Sequence, residues 1–226
     1  MSVSEQLAVV NEKIRASCQK SGRDEKDVTI IAVTKYVSIE RAREAVAAGI
    51  TDFGENRLEG AMEKYEALGD HVNWHFIGSL QSRKVKDLLH AYRIIHSLDR
   101  KSLAKEIQKR SEDGMTTDCF IQLNVSGEES KAGIRADELP GFLDMLQHYP
   151  AVRVIGLMTM APYTDDPEEV RPYFQKLREL RDETAAKKLP HAPCTELSMG
   201  MSNDYHIAVE EGATYIRLGS SLVGSQ

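Results

Sequence analysis

The sequence predicts an α/β fold, a single (β/α)8 TIM barrel with an extra N-terminal helix. About eight short apolar runs recur along the chain, and each is followed by a polar residue or glycine and then by a helical pattern. Eight parallel strands are the number that closes such a barrel. Because barrels of this length commonly form one domain, we expect residues 1–226 to fold as a single barrel domain.

The predicted strands are short apolar runs bounded by glycine or polar residues. They are Thr29–Thr34, Thr51–Phe53, Asn73–Ile77, Arg93–Ser97, Asp118–Asn124, Val152–Met158, Thr195–Met199 and Thr214–Leu218. An open, doubly wound sheet would show the same alternation. The segment after the first strand, Lys35-Tyr36-Val37-Ser38, argues against its common form, because no glycine-rich phosphate loop is present there.

Start and stop signals delimit several of the predicted helices. An opening amphipathic helix carries Val3, Leu7, Val10 and Ile14 on one face. The other signals are Ser38 before and Gly49 after a helix over Ile39–Ala48, Asp166-Pro167 before a helix that contains Phe174 and Leu177, and Asn203 or Asp204 before a helix that Gly212 ends. The polar, glycine-bearing segment over residues 126–133 should be a loop.

Composition excludes several classes of function. The formal net charge is -6, which disfavours nucleic-acid binding, and no apolar stretch approaches the length that spans a bilayer. The N-terminal residues lack a secretory signal, so we expect a cytoplasmic protein. Three widely spaced cysteines and seven scattered histidines predict neither a disulfide framework nor a metal site.

Lys35 is the first candidate functional residue, because it stands where the first strand ends and a helix begins. In a barrel, the ends of the strands that lead into helices form the face that holds the site. We expect the Lys35 amine to face a pocket rather than water, where loss of its proton would let it attack a carbonyl group. Polar residues also follow the other strands, among them Glu55, Asn56, Ser79, Ser97, Asp99, Asn124, Thr159 and Arg217.

The loops after the seventh and eighth predicted strands are candidates for phosphate binding, which this fold commonly places there. Gly200 and Gly219 would let backbone amides approach an anion, while Ser202 and Ser220 would add hydroxyl donors. The alternative is that these glycines and serines only make turns between strands and helices.

Motifs across nearly the whole chain resemble the pyridoxal phosphate homeostasis proteins, the YggS/PROSC family, which look like the barrel domain of alanine racemase standing alone. The motifs are Ala32-Val33-Thr34-Lys35, Phe53-Gly54-Glu55-Asn56-Arg57, Trp74-His75-Phe76-Ile77-Gly78-Ser79-Leu80-Gln81 with Lys84, Ser130-Lys131-Ala132-Gly133, Gly156-Leu157-Met158-Thr159-Met160, Leu197-Ser198-Met199-Gly200-Met201-Ser202-Asn203-Asp204 and Ile216-Arg217-Leu218-Gly219-Ser220.

The resemblance implies that Lys35 forms a Schiff base with pyridoxal 5'-phosphate. Ser202, Gly219 and Ser220 would hold the phosphate, Asn56 would lie near the phenolic side of the ring, and Arg217 would face the pyridine nitrogen. The full set of cofactor-binding residues that it implies is Lys35, Asn56, Ser198, Met201, Ser202, Arg217, Gly219 and Ser220.

The resemblance favours a protein that sequesters or delivers the cofactor over an enzyme. A cation beside the ring nitrogen disfavours protonation of the ring, which makes the cofactor a weaker electron sink. The chain ends six residues after Ser220, so we expect it to lack the second domain with which racemases complete their site.

The alternatives are a racemase-like enzyme with weak activity and a phosphate-binding barrel without pyridoxal. For the leading function we expect a monomer, with pyridoxal phosphate and cofactor-dependent apoenzymes as its partners.

Overall fold

The computed structural model describes residues 1–128 and 131–224. Glu129 and Ser130, which belong to the predicted loop and to the Ser-Lys-Ala-Gly motif, lie outside the described residues, as do Ser225 and Gln226. The helices are α1 (Val3–Ser21), α2 (Ile39–Ala47), α3 (Leu58–Leu68), α4 (Val85–Leu88), α5 (Lys101–Arg110), α6 (Leu139–Leu146), α7 (Arg171–Ala186) and α8 (Tyr205–Glu210). The strands are β1 (Thr29–Val33), β2 (Asp52–Glu55), β3 (Asn73–Phe76), β4 (Ile94–Leu98), β5 (Thr117–Asn124), β6 (Ile134–Arg135), β7 (Val152–Met158), β8 (Glu196–Ser198) and β9 (Tyr215–Leu218).

Eight parallel strands close into a barrel. The order around it is β1, β2, β3, β4, β5, β7, β8 and β9, and β9 pairs again with β1. In that closing pair Thr29 lies opposite Tyr215 and Ala32 lies opposite Leu218. The predicted TIM barrel is confirmed, and the pairing of β1 with β9 rules out the open sheet.

The strand pattern in the sequence located each barrel strand to within a few residues. The largest difference is at β2, which continues past Phe53 because Gly54 and Glu55 pair with the neighbouring β3. Gly54 is needed inside this strand, since a Cβ there would come within 2.8 Å of Ile31. The short strand β6 was not predicted; it pairs with β5 outside the closed ring.

Helices cover the barrel and bury its outer apolar face. The buried residues of the covering helices include Leu103 and Ile107 of α5 and Phe174 and Leu177 of α7. Helix α1 packs against α8 and α2, which confirms the extra N-terminal helix. The three cysteines are free, buried thiols, as the sequence predicts.

Side-chain caps explain where several helices begin. Ser38 accepts a hydrogen bond from the backbone N–H of Arg41 at the start of α2, as predicted. Asp166 also caps as predicted, although the turn it starts is a 3-10 turn over Pro167–Val170 that leads into α7. None of the helices in residues 1–128 and 131–224 is both long and apolar enough to cross a lipid bilayer.

Candidate cofactor site

A cavity of about 640 Å³ opens at the carboxyl ends of the barrel strands. It is within the size range of pockets that bind small molecules and cofactors. Seven of the residues that the sequence singled out line it: Lys35, Asn56, Met201, Ser202, Arg217, Gly219 and Ser220. Ser198, the eighth, is fully buried and is not among the lining residues. The closed barrel therefore brings together side chains from β1, β2, β8 and β9 and the loops that follow them.

Lys35 stands at the rim of the cavity in the turn after β1. Its side chain is exposed, and its Nζ lies 4.8 Å from the centre of the Tyr36 ring. Lys35 therefore lines the cavity as expected, but the expectation that its amine is shielded from water is wrong. The reason is that β1 ends at Val33 and Thr34 takes the buried position, so Lys35 is carried into the turn.

Asn56 supplies a buried polar atom that lacks a partner. Its Oδ1 is inaccessible to solvent and accepts no hydrogen bond from the described residues, although the residue lines the cavity. Gly78, at the end of β3, packs directly on its backbone, and a Cβ on Gly78 would lie 2.2 Å from the Asn56 carbonyl oxygen. An unpaired buried oxygen is unfavourable by about 1 to 3 kcal/mol, so no hydrogen bond to Oδ1 from the described residues holds this amide in place.

Arg217 places a buried positive charge at the cavity. The residue is 4% exposed; its Nη1 donates to Ser198 Oγ at 2.6 Å and its Nη2 donates to the Thr159 carbonyl at 2.9 Å. Burial lowers the pKa of Arg217 to about 10, and the negative charge of Asp204 opposes that effect. The guanidinium therefore stays charged at neutral pH, and within the described residues it forms no ion pair with a carboxylate.

The loops after β8 and β9 meet beside this cation. Ser202 Oγ accepts a hydrogen bond from the Ser221 hydroxyl at 3.0 Å, which joins the two loops. Gly200 has a φ of +92°, and a Cβ there would lie 2.6 Å from the Cβ of Ala208 in α8. Glycine is therefore required for the approach of this loop to the helix. Ser221, which directly follows Ser220, was not predicted from the sequence.

The start of α8 differs from the expectation. Asp204 occupies the N-cap position but makes no capping hydrogen bond with its side chain. Instead, Asp204 Oδ1 accepts a hydrogen bond from the backbone N–H of Met201 at 2.6 Å. Burial raises the pKa of the Asp204 carboxyl, with the Met201 hydrogen bond and the Arg217 charge opposing the shift. The carboxylate thus stabilises the loop after β8 rather than the helix.

Of the other polar strand ends, Ser79 lines the cavity but most do not. Glu55 is paired with Lys64 in the protein interior at 2.9 Å, and Ser97, Asp99 and Asn124 are not among the lining residues. The mouth also carries exposed apolar and aromatic side chains, of which only Met201 was among the predicted cofactor-binding residues: Tyr36, Met160, Tyr163 and Met201.

Comparisons with known proteins place this site in a family. The alanine racemase N-terminal domain family matches residues 9–226. A pyridoxal phosphate homeostasis protein of Aquifex aeolicus is 46% identical over 231 residues, with 100% of this chain and 99% of the relative covered. The chain belongs to the pyridoxal phosphate homeostasis protein family.

Solved structures support the same assignment. PipY of Synechococcus elongatus, solved with pyridoxal phosphate bound, has a TM-score of 0.83 and 34% identity, covering 98% of this chain and 100% of that one. Alanine racemase of Corynebacterium glutamicum has a TM-score of 0.70 at 17% identity, covering 97% of this chain and 62% of the racemase. The second similarity is one of fold, and it confirms the racemase-like barrel that the sequence predicts.

Proposed function

We propose that this chain binds pyridoxal 5'-phosphate in the cavity, holds it as a Schiff base on Lys35, and sequesters or delivers it without turning over a substrate. One observation carries the proposal. A primary amine, the amide residue Asn56, a buried cation and two hydroxyl-bearing loops converge on one cavity of about 640 Å³. The relative that matches the full length of this chain is named a pyridoxal phosphate homeostasis protein, which supports the same function.

The residues present fit the chemical groups of this cofactor. Its aldehyde needs a primary amine, which Lys35 supplies at the rim. Its phosphate needs short donors and a backbone that can approach closely, which Ser202, Ser220 and Gly219 offer. Asn56 lines the cavity and would place its amide near the polar edge of the ring.

Exposure of Lys35 suits a carrier. When bound, the cofactor supplies an aldehyde that forms a reversible link to primary amines. Because the Lys35 side chain is solvent-exposed beside Tyr36, a competing amine can reach it without opening the barrel. The Lys35 position thus favours exchange of the cofactor over its enclosure.

Arg217 argues against strong catalysis. The charge it retains at neutral pH disfavours a second positive charge on a ring nitrogen held nearby, which limits the stabilisation of a carbanion. Racemisation also needs an acid or base on each face of the substrate. The two phenols that line the mouth, Tyr36 and Tyr163, are 58% and 81% exposed and make no side-chain hydrogen bond among the described residues. No hydrogen bond from the described residues therefore holds either phenol in place as a second base opposite Lys35.

Visible absorption of the purified protein tests cofactor binding. We expect a Schiff-base band in the parent and in Lys105→Ala, which removes an exposed lysine from α5, and no band in Lys35→Ala. A parent protein that stays colourless after addition of pyridoxal phosphate would contradict the proposal.

Two further measurements separate a carrier from an enzyme. We expect the loaded protein to reactivate a cofactor-dependent apoenzyme, and we expect no racemisation of amino acids by the loaded protein. Turnover that disappears in Tyr163→Phe or Tyr36→Phe would favour the racemase-like alternative instead. Light scattering of the loaded protein tests the monomeric state that we propose for the carrier, and a single cooperative transition on unfolding would support the proposed single domain.

A further inference from the structure

A continuous series of hydrogen-bonded polar side chains crosses the barrel interior beneath Arg217. From Arg217 Nη1 it passes to Ser198 Oγ at 2.6 Å, and from Ser198 Oγ to His96 Nδ1 at 2.8 Å. It continues from His96 Nε2 to His75 Nδ1 at 2.9 Å and from His75 Nε2 to Asp52 Oδ1 at 2.9 Å. The five residues come from β9, β8, β4, β3 and β2 in that order, so the series spans the barrel.

The burial of these polar side chains indicates a role beyond filling space in the barrel core. His75, His96 and Ser198 are each 0% exposed, at positions that branched aliphatic residues dominate in this fold. Buried polar groups are unfavourable unless they are hydrogen-bonded. Here every ring nitrogen of both histidines has a partner, so the polar groups form a connected network rather than isolated defects.

The two ends of the series fix the direction of every hydrogen bond in it. Asp52 is a carboxylate, because hydrogen bonds from His75, Thr51 and Asn73 outweigh the effect of burial and lower its pKa. It can only accept, so His75 Nε2 carries a proton, and a ring that carries only this proton accepts at Nδ1. His96 Nε2–H must then donate to His75.

The remaining bonds follow from the neutral form of His96. Burial lowers the pKa of His96 well below its usual range, and the positive charge of Arg217 acts in the same direction. Its Nδ1 therefore accepts the Ser198 hydroxyl proton, while Ser198 Oγ accepts from Arg217. All the donors point away from the cation and towards the carboxylate.

We propose that Asp52, His75, His96 and Ser198 are positioning residues that fix the Arg217 guanidinium at the cavity through this one-directional series. The inference rests on the proposed function of the cavity for its role in cofactor binding. Ser198 can hold the guanidinium firmly because its own proton is committed to His96, which turns an oxygen lone pair towards Arg217. The aligned bonds also present negative partial charge to a buried cation that forms no direct ion pair with a carboxylate among the described residues.

Nitrogen-15 NMR of the cofactor-free protein at mildly alkaline pH tests the series itself. Among the seven histidines, the signals of His75 and His96 can be assigned by comparison with His75→Gln and His96→Gln. We expect both His75 and His96 to be neutral with the proton on Nε2. A proton on Nδ1 of His96 would overturn the series, whether or not the protein binds pyridoxal phosphate.

A matched pair of substitutions tests the positioning role. The amide of asparagine overlaps Nδ1 of histidine and can accept from Ser198, whereas the amide of glutamine overlaps Nε2 and cannot. We therefore expect His96→Gln to weaken pyridoxal phosphate binding about tenfold, the order of one hydrogen bond to a charged group, and His96→Asn to stay within about threefold of the parent.

The same pair distinguishes positioning from packing. Asparagine leaves the larger void, so a merely structural role for His96 predicts that His96→Asn binds more weakly than His96→Gln. Tyr92→Phe, which removes a buried hydrogen bond to the Ala61 carbonyl away from Arg217, controls for general loss of stability and should leave affinity unchanged. Equal affinity in all variants, or weaker binding in His96→Asn, would overturn the proposal. A parent that binds no cofactor would refute the proposed function instead, and the NMR result would still decide the series.

Discussion

Replacing Lys64 with methionine should destabilise the protein far more than an ordinary lysine substitution. Lys64, on α3, donates from Nζ to Glu55 Oε1 at 2.9 Å and also to the carbonyl of Thr34. The side chains of Lys64 and Glu55 are 7% and 2% exposed. Lys64→Met keeps the length of the side chain but leaves the Glu55 carboxylate buried, with the Thr34 hydroxyl at 2.6 Å as its remaining hydrogen-bond donor among the described residues.

The size of the effect follows from that uncompensated charge. Removing one partner of a buried ion pair lowers the free energy of unfolding by about 3 to 5 kcal/mol. For a chain of this size each kcal/mol corresponds to about 2 to 4 °C in melting temperature, so a loss of about 3 kcal/mol lowers it by about 6 to 12 °C. The double variant Glu55→Gln, Lys64→Met should recover part of the loss, because it removes the stranded charge.

Urea denaturation followed by circular dichroism measures these differences. The matched control is Lys176→Met, since Lys176 pairs with Glu179 at 3.5 Å on α7 with side chains 50% and 59% exposed. An exposed pair of this kind contributes less than about 1 kcal/mol. The reasoning would be refuted if Lys64→Met lost no more stability than Lys176→Met, or if the double variant were less stable than Lys64→Met.

Other perturbations test the core and the site loops. Burial lowers the pKa of His96 below its ordinary 6.5, so the unfolded chain takes up the proton first on acidification. Between about pH 7.5 and about pH 5.5 the parent should therefore lose up to about 1.4 kcal/mol per pH unit more than His96→Gln, and equal slopes in urea titrations would contradict this. Gly78→Ala places a Cβ 2.2 Å from the Asn56 carbonyl oxygen and should lower both stability and pyridoxal phosphate affinity, with about 1 to 3 kcal/mol lost on unfolding. Gly60→Ala, in open space on α3, should instead stabilise by up to about 1 kcal/mol, and a loss there would count against the packing argument. Gly200→Ala should weaken binding in a titration followed by absorption because of its positive φ, and unchanged affinity would show that the loop after β8 is not part of the site.

The strand and helix alternation could be predicted because it depends on local patterns. The strands of a parallel barrel are covered on both faces, so they appear in sequence as apolar runs such as Val152–Met158, which the structure reproduces without a shift. Lys35, Asn56 and Arg217 could be chosen as site residues because the end of each strand is visible in the sequence. In a barrel all those ends meet on one face.

The surroundings of those residues could not be predicted in the same way. Nothing local distinguishes Lys64, which is buried, from the exposed lysines on other helices, because its burial depends on how α3 packs over the end of β1. The resemblance likewise assigned Ser198 to the cofactor, whereas its partners are Arg217 of the next strand, β9, and His96, which is 102 residues away in sequence.

The sequence by itself determined the barrel, the face that carries the site and seven of the residues that line the cavity, since strand periodicity and strand ends are local properties. Only the tertiary structure decided that Lys35 is exposed at the rim, that Asn56 has an unpaired oxygen and that Arg217 is anchored through the barrel interior. The physical reason is closure of the sheet. It brings β9 beside β1 and fills the space between the strands with side chains whose partners come from across the barrel rather than from along the chain.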